Sequence, residues 1–265
     1  MSKKTQPIIA QNMKKKIIIK IGTSTLTANT GRISYSKIED IARQIVNLKK
    51  DFDVILVSSG AIATARQFME INGDNQSMAS KQAMAAIGQP KLMRLYDEIF
   101  SSFGLKIAQC LLTYADFKND EARTNTENTI NSLLAHGYVP IINENDTVAI
   151  EEIVLGDNDK LSALVASILP ADFLIIASDV DGLYDKNPHL HPEAKLIDEV
   201  TDLRQVALFA EEKVSGPGTG GMASKIQAAE ICKQYGIEMW IVNGGKNNFI
   251  VDALQDISSF TKFRF

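Results

Sequence analysis

Apolar positions along the chain cluster in two alternating patterns. Short continuous apolar runs occur at "KIIIKI" (16–21), "DVILVS" (53–58), "LKIAQCLLT" (105–113), Tyr138 to Asn143, "DFLIIAS" (172–178) and "EMWIVN" (238–243). Runs of this length bounded by turn residues read as buried strands. Between them lie stretches with helical spacing. Ser34 caps one that runs to about Lys50, with Ile38, Ile41, Ile45 and Leu48 on one stripe. Others span 79–104, kinked or broken near Gly88 and Pro90, then Arg123 to His136, Asp159 to Leu169 and Gly220 to Tyr235. Buried strands alternating with amphipathic helices predict an α/β fold, with a mostly parallel sheet covered by helices on both faces. The C-terminal edge of that sheet carries Gly22-Thr23-Ser24, Ser58-Ser59-Gly60 and Asn143 to Asp146. In open α/β sheets this is the edge where ligands bind.

Bulk properties narrow the class. The chain has 265 residues, 45% of them hydrophobic and 23% charged, which suits a globular domain rather than a disordered one. A formal charge of -4 argues against a general nucleic-acid binder. No apolar run approaches the roughly 18 residues of a membrane span, and the basic N-terminus has too short an apolar part for a signal peptide. Residues 1–14 read as a flexible extension. Cys110 and Cys232, the only two cysteines, sit in apolar-periodic segments and read as buried free thiols of a reducing, cytoplasmic setting.

Four features carry chemistry. Lys20 interrupts an apolar strand whose neighbours look buried on both faces, and a buried lysine needs an anionic partner. "SGPGTGGMASK" (215–225) contains G-x-G-x-x-G, yet a helical-looking segment, "LRQVALFAEEKV", precedes it, so the dinucleotide reading fails. A Walker loop fails as well, because Lys225 does not directly follow a glycine. What remains is a glycine-rich entry to a helix with a lysine one turn inside, which suits a polyanion. "SSGAI" is a second strand-to-glycine-to-helix turn of the same kind. Finally, "INENDTVAIEEIVLGDND" (142–159) places amides and carboxylates on either side of an apparent hairpin. Asp157-Asn158-Asp159 lacks the glycine and glutamate of an EF-hand, so no protein metal site is expected. With only three histidines, no Ser-His-Asp set is apparent. A phosphoryl acceptor that is itself a carboxylate requires no base, because it is already ionised; it requires cations to screen two anions.

Taken in order, "IKIGTSTL" (19–26), "VSSGAIA" (57–63), "ASKQAMAAIGQ" (79–89), "INENDTV" (142–148), "GDNDKLSALVA" (156–166), "SDVDGLY" (178–184) and "SGPGTGGMASK" resemble the amino acid kinase family, within it the branch that phosphorylates glutamate. The resemblance implies a three-layer αβα sandwich with a mostly parallel central sheet, formed by 15–265 as a single domain. It implies ATP with Mg²⁺ as co-substrate and L-glutamate as acceptor, giving γ-glutamyl phosphate on the way to proline. Lys20 and Lys225 then flank the transferred phosphoryl group and Asp159 orients both. Ser59, Asp146 and Asn158 contact glutamate. Ser178, Asp179, Thr219, Gly220, Gly221, Met222, Ala223, Ser224 and Lys225, with Lys20, contact ATP. Ser178 departs slightly from the family, where Thr is frequent. After "TKFRF" there is no room for the C-terminal PUA domain that many bacterial relatives carry. Proline as feedback inhibitor and a homo-oligomeric state are further expectations, with no membrane or nucleic-acid partner. Two alternatives stand beside this reading. One is a sister kinase for N-acetylglutamate or aspartate, weakened because Asp146 suits a free ammonium. The other is a non-catalytic sensor, weakened because Lys20, Lys225 and Asp159 are all present.

Overall fold

A computed structural model describes residues 14–68, 77–149, 158–186, 188, 190–204, 206 and 219–265. Along the chain these form β1 (Lys15–Ile21), α1 (Thr23–Thr27), α2 (Tyr35–Leu48), β2 (Phe52–Ser58), α3 (Ala61–Phe68), α4 (Met78–Ser102), β3 (Lys106–Leu112), α5 (Asp120–Ala135) and β4 (Tyr138–Glu144). The second half supplies α6 (Asp159–Ile168), β5 (Phe173–Ser178), β6 (Leu183–Tyr184), β7 (Leu196–Ile197), β8 (Glu199–Val200), α7 (Thr219–Tyr235), β9 (Glu238–Asn243), α8 (Phe249–Leu254) and β10 (Thr261–Phe263). The extension over 1–13, the hairpin arm at 150–157 and most of "LRQVALFAEEKV" lie outside the described residues.

Eight strands form one sheet in the order β3-β4-β2-β1-β5-β9-β10-β8. The pairs from β3 to β9 are parallel, and β10 joins β9 antiparallel. Strand β1 is central: the chain builds outward through β2 on one side and returns through β5 on the other. That reversal is a topological switch point, and its crevice opens at the C-terminal ends of β1, β2 and β5.

Side chains alternate across a strand, so parity assigns each residue to a layer. Ile17, Ile19 and Ile21 pack with Ile38, Ile41 and Ile45 of α2, Leu92 and Tyr96 of α4 and Ile250 of α8. Ile18 packs the other way, with Leu161 and Val165 of α6, Ala228 and Cys232 of α7 and Ile130 of α5. Strands β2, β4 and β5 repeat the division, which makes the three-layer αβα sandwich. Lys20 shares the parity of Ile18 and therefore points toward α6 and α7. Asn143 shares the parity of Val139 and Ile141 and points toward α4.

Two elements differ from the sequence expectation. Helix α4 runs unbroken through Gly88 and Pro90. A Cβ built on Gly88 would stand 1.8 Å from the Ala61 carbonyl oxygen, so this glycine exists for close contact with α3 rather than to break its own helix. Helix α5 begins at Asp120 rather than Arg123, because Asn119 accepts a hydrogen bond from the Ala122 N–H at 2.9 Å and caps the helix there.

Candidate active site

Gly22-Thr23-Ser24 after β1, Ser59 after β2, and Ala177-Ser178-Asp179 at the end of β5 line a cleft with Lys20 and Lys225; its empty volume is about 490 Å³. At its base Asp159, fully buried at the N-terminus of α6, holds both lysines. Its Oδ1 lies 2.7 Å from Lys20 Nζ and its Oδ2 2.9 Å from Lys225 Nζ. Ser224 Oγ donates to the same Oδ2 at 3.2 Å. A carboxylate in the first turn of a helix is further stabilised by the helix dipole. The expectation that Lys20 needs an anion is met: its side chain is 5% exposed and Asp159 is that anion. Among the described residues two lysines meet one carboxylate here, and Asp179 lines the same cleft.

The second half of the site is built of amides. Asn158 Nδ2 donates to Asn143 Oδ1 at 2.7 Å, and lies 3.2 Å from both the Ser58 carbonyl oxygen and Ser59 Oγ. Asn143 Nδ2 donates in turn to Gln89 Oε1 of α4 at 2.9 Å. Asn158 Oδ1 and Asp146 Oδ1 are both buried without a hydrogen-bond partner among the described residues. Burial pushes the Asp146 carboxyl up to about 6. Two buried acceptors lacking donors near one sheet edge suit a ligand that brings donors, as an ammonium does.

Of the residues proposed from sequence for the nucleotide, Ser178 donates to Asp179 Oδ1 at 3.2 Å beside the cleft. Thr219, Gly220 and Gly221 form the first turn of α7, whose side chains lie outside the described detail. Met222 packs against the α6–α7 layer of the core instead of lining the cleft, Ala223 is exposed, and Ser224 turns inward to Asp159. The glycine-rich residues 215–218, Asp157 and the arm that would fold over a substrate lie outside the described residues. Sequence reasoning passed over Gln89, although it closes the "ASKQAMAAIGQ" segment. Its signal was an amide directly after a glycine that forces a close helix contact. It also passed over Asp181, beyond β5, which binds Lys246 at 2.6 Å and accepts from Asn243 Nδ2 at 2.9 Å. Burial raises that carboxyl, but the bonds from Lys246 and Asn243 outweigh it and hold it below the ordinary range. Among the described residues no cluster of three or more His, Cys, Asp or Glu gathers as a metal cage, and no helix is long and apolar enough to cross a membrane.

A parallel sheet with a cationic cleft at its switch point defines a phosphate-handling α/β protein. The chain belongs to the amino acid kinase family, matching it over residues 15–243. It is 44% identical over 247 residues to the glutamate 5-kinase of Clostridium acetobutylicum, covering 92% of this chain and 91% of that protein. It is 45% identical over 240 residues to the glutamate 5-kinase of Caldanaerobacter subterraneus, covering 89% of this chain but 64% of that longer protein. The fold is shared with solved structures at lower identity. UMP kinase from Ureaplasma parvum has a TM-score of 0.61 at 22% identity, covering 96% of this chain and 100% of that one. Carbamate kinase from Giardia lamblia bound to AMP-PNP has a TM-score of 0.66 at 15% identity, covering 95% and 98%.

Proposed function

We propose that this protein phosphorylates the side-chain carboxylate of L-glutamate with ATP, forming γ-glutamyl phosphate and ADP as the first step toward proline. One observation carries the reading: a buried carboxylate, Asp159, clamps two lysines at the cleft, while Asn158 Oδ1 and Asp146 Oδ1 lie buried without a partner among the described residues. The acceptor oxygen of glutamate attacks the γ-phosphorus, and the bond to the β–γ bridging oxygen breaks to release ADP. No base is needed, since a glutamate carboxylate with a pKa of about 4.3 is ionised at neutral pH. Lys20 and Lys225 offset the repulsion between the two anions and the charge that develops on the transferred group. Mg²⁺ arriving with the nucleotide would supply further screening, in keeping with a metal that binds chiefly through substrate oxygens. Ser59, Asn158 and Asp146 form the glutamate side, Asp146 and Asn158 Oδ1 accepting from the ammonium. The cleft lined by Ser178 and Asp179 takes the nucleotide.

The same reading extends to regulation and setting. Proline also carries an ammonium next to a carboxylate, so the Asp146 pocket is proposed as its inhibitory site. The outer edge of β3, which no strand pairs among the described residues and where Leu111 is exposed, is proposed to face another copy of the chain. Residues 15–265 are proposed as a single domain, since β1, near the start, and β10, near the end, belong to the same eight-stranded sheet. The free thiols Cys110 and Cys232 suit a reducing cytoplasm.

The test is ADP release measured with glutamate, aspartate, N-acetylglutamate and UMP in parallel. Glutamate is expected to support turnover far above the others. Preference for N-acetylglutamate would overturn the ammonium assignment, and turnover of none would overturn the kinase reading.

A further inference from the structure

The amide groups between α4 and α6 can be oriented without ambiguity, and their order has a consequence. The backbone N–H of Glu144 donates to Asn143 Oδ1 at 2.9 Å, and a backbone N–H can only donate. Asn143 must therefore turn Nδ2 the other way, toward Gln89, which must answer with Oε1 at 2.9 Å. At the far end the Ser58 carbonyl can only accept, so it draws Asn158 Nδ2 at 3.2 Å. Asn143 Oδ1 draws the same nitrogen at 2.7 Å. Both ends agree, and no amide in the row can flip without setting two donors or two acceptors against each other. The outcome is that Asn158 Oδ1 faces away from the row, buried and without a partner among the described residues.

We infer that Gln89 is a positioning residue, which acts through Asn143 to hold the Asn158 amide with its oxygen presented to the substrate ammonium. This rests on the glutamate reading above and adds the residue that steadies the amide row of that pocket from α4. Gln89 is itself 9% exposed and comes from α4, a helix that contributes nothing to the phosphate side. Its loss should therefore be felt by the ammonium and by no other part of the reaction. Without Gln89 Oε1, Asn143 Nδ2 is left buried without its acceptor; the Glu144 N–H and the Ser58 carbonyl still set which way the two amides face, but the row loosens and the Asn158 oxygen is held less firmly toward the ammonium.

Glutarate, which is glutamate without its amino group, reads this directly. Steady-state kinetics would be measured for the wild type, Q89L and Q89E with glutamate and ATP each varied, and with glutarate as a competitive inhibitor. Q89L is expected to raise the glutamate KM roughly 5- to 30-fold, the scale of one lost buried hydrogen bond. Its glutarate Ki and ATP KM should stay near wild type. Q89E still accepts from Asn143 and is expected to keep the wild-type preference for glutamate over glutarate. If Q89L does not fold, Q89E alone decides, since collapse of its preference would overturn the inference. Equal losses for glutamate and glutarate, or an unchanged glutamate KM in Q89L, would also overturn it. No glutamate-dependent ADP release by the wild type would overturn the function and this inference together.

Discussion

At the scale of single residues, Asp146 shows how a site can be built at the expense of stability. Its carboxyl is pushed up to about 6 by burial, and one oxygen has no partner among the described residues. The folded state thus binds this proton more tightly than the unfolded chain, whose carboxyl titrates near 4. The stabilising contribution is complete below about pH 4 and disappears as pH rises through about 6. D146N should therefore melt higher than the wild type at pH 7.5, an advantage that fades toward pH 4. Its glutamate KM should rise roughly 10- to 150-fold for the loss of a charge-assisted bond worth about 1.5–3 kcal/mol, while the ATP KM changes little. In the wild type the glutamate KM should climb about tenfold per pH unit below 6, as the carboxylate is protonated. A flat profile, or a D146N protein that melts lower at pH 7.5, would assign Asp146 a structural role. The two lysines make a different prediction. K20A or K225A leaves Asp159 paired with the remaining lysine, so folding should survive. Each should lower kcat by about 10²-fold or more, the loss expected of one electrostatic contact to the transition state. Near-normal turnover in either variant would remove the two-lysine mechanism.

At the scale of elements, the strands and long helices were legible because each fully buried strand is a continuous apolar run and each helix keeps its stripe. Lys20 could be singled out for the same reason, as a charge placed where parity allows no solvent. Helix α4 was harder to read. Gly88 and Pro90 look like punctuation in one dimension, and only the approach of α3 shows that the glycine is a contact point. G88A tests this. With 1.8 Å between the added carbon and Ala61 oxygen, α3 and α4 must separate, at a cost of about 1–3 kcal/mol or more. A thermal melt unchanged from wild type would show that the helices are not in the contact described. The 244–265 segment was the least legible part. Helix α8 spans six residues, and it is held by a partner remote in sequence: Gln44 Oε1 accepts from the Ile250 N–H at 2.8 Å. Local periodicity carries no trace of such a bond.

For the whole molecule, the far edge of the sheet depends on the chain's end coming back to it. Thr261, fully buried in β10, donates to the Ile197 carbonyl and accepts from the Leu183 N–H, both at 2.7 Å. One hydroxyl thereby fastens the β6–β7 ribbon to the main sheet. T261V keeps the shape and leaves both backbone groups without that partner, and should cost about 1–3 kcal/mol in a melt. Thr261 is not among the residues that line the candidate cleft, so kcat at 25 °C should be retained; a large loss of kcat would mean that the ribbon shapes the site. Sequence patterning identified the parallel half of the sheet and missed this antiparallel closure, because a three-residue strand is too short to show alternation.

The clamp at Asp159 also has a consequence in time. Lys20 emerges from the ribosome early and Lys225 only after about 200 further residues, which at about 5–20 residues per second is a delay of roughly 10–40 s. Asp159 follows about 140 residues after Lys20, so over the last roughly 65 residues, about 3–13 s, it can meet Lys20 but not yet Lys225. The second lysine of the clamp is added when α7 docks against α6. A nascent chain released before residue 219 should therefore leave ATP untouched, whereas the finished protein acquires affinity and reactivity in the same folding step.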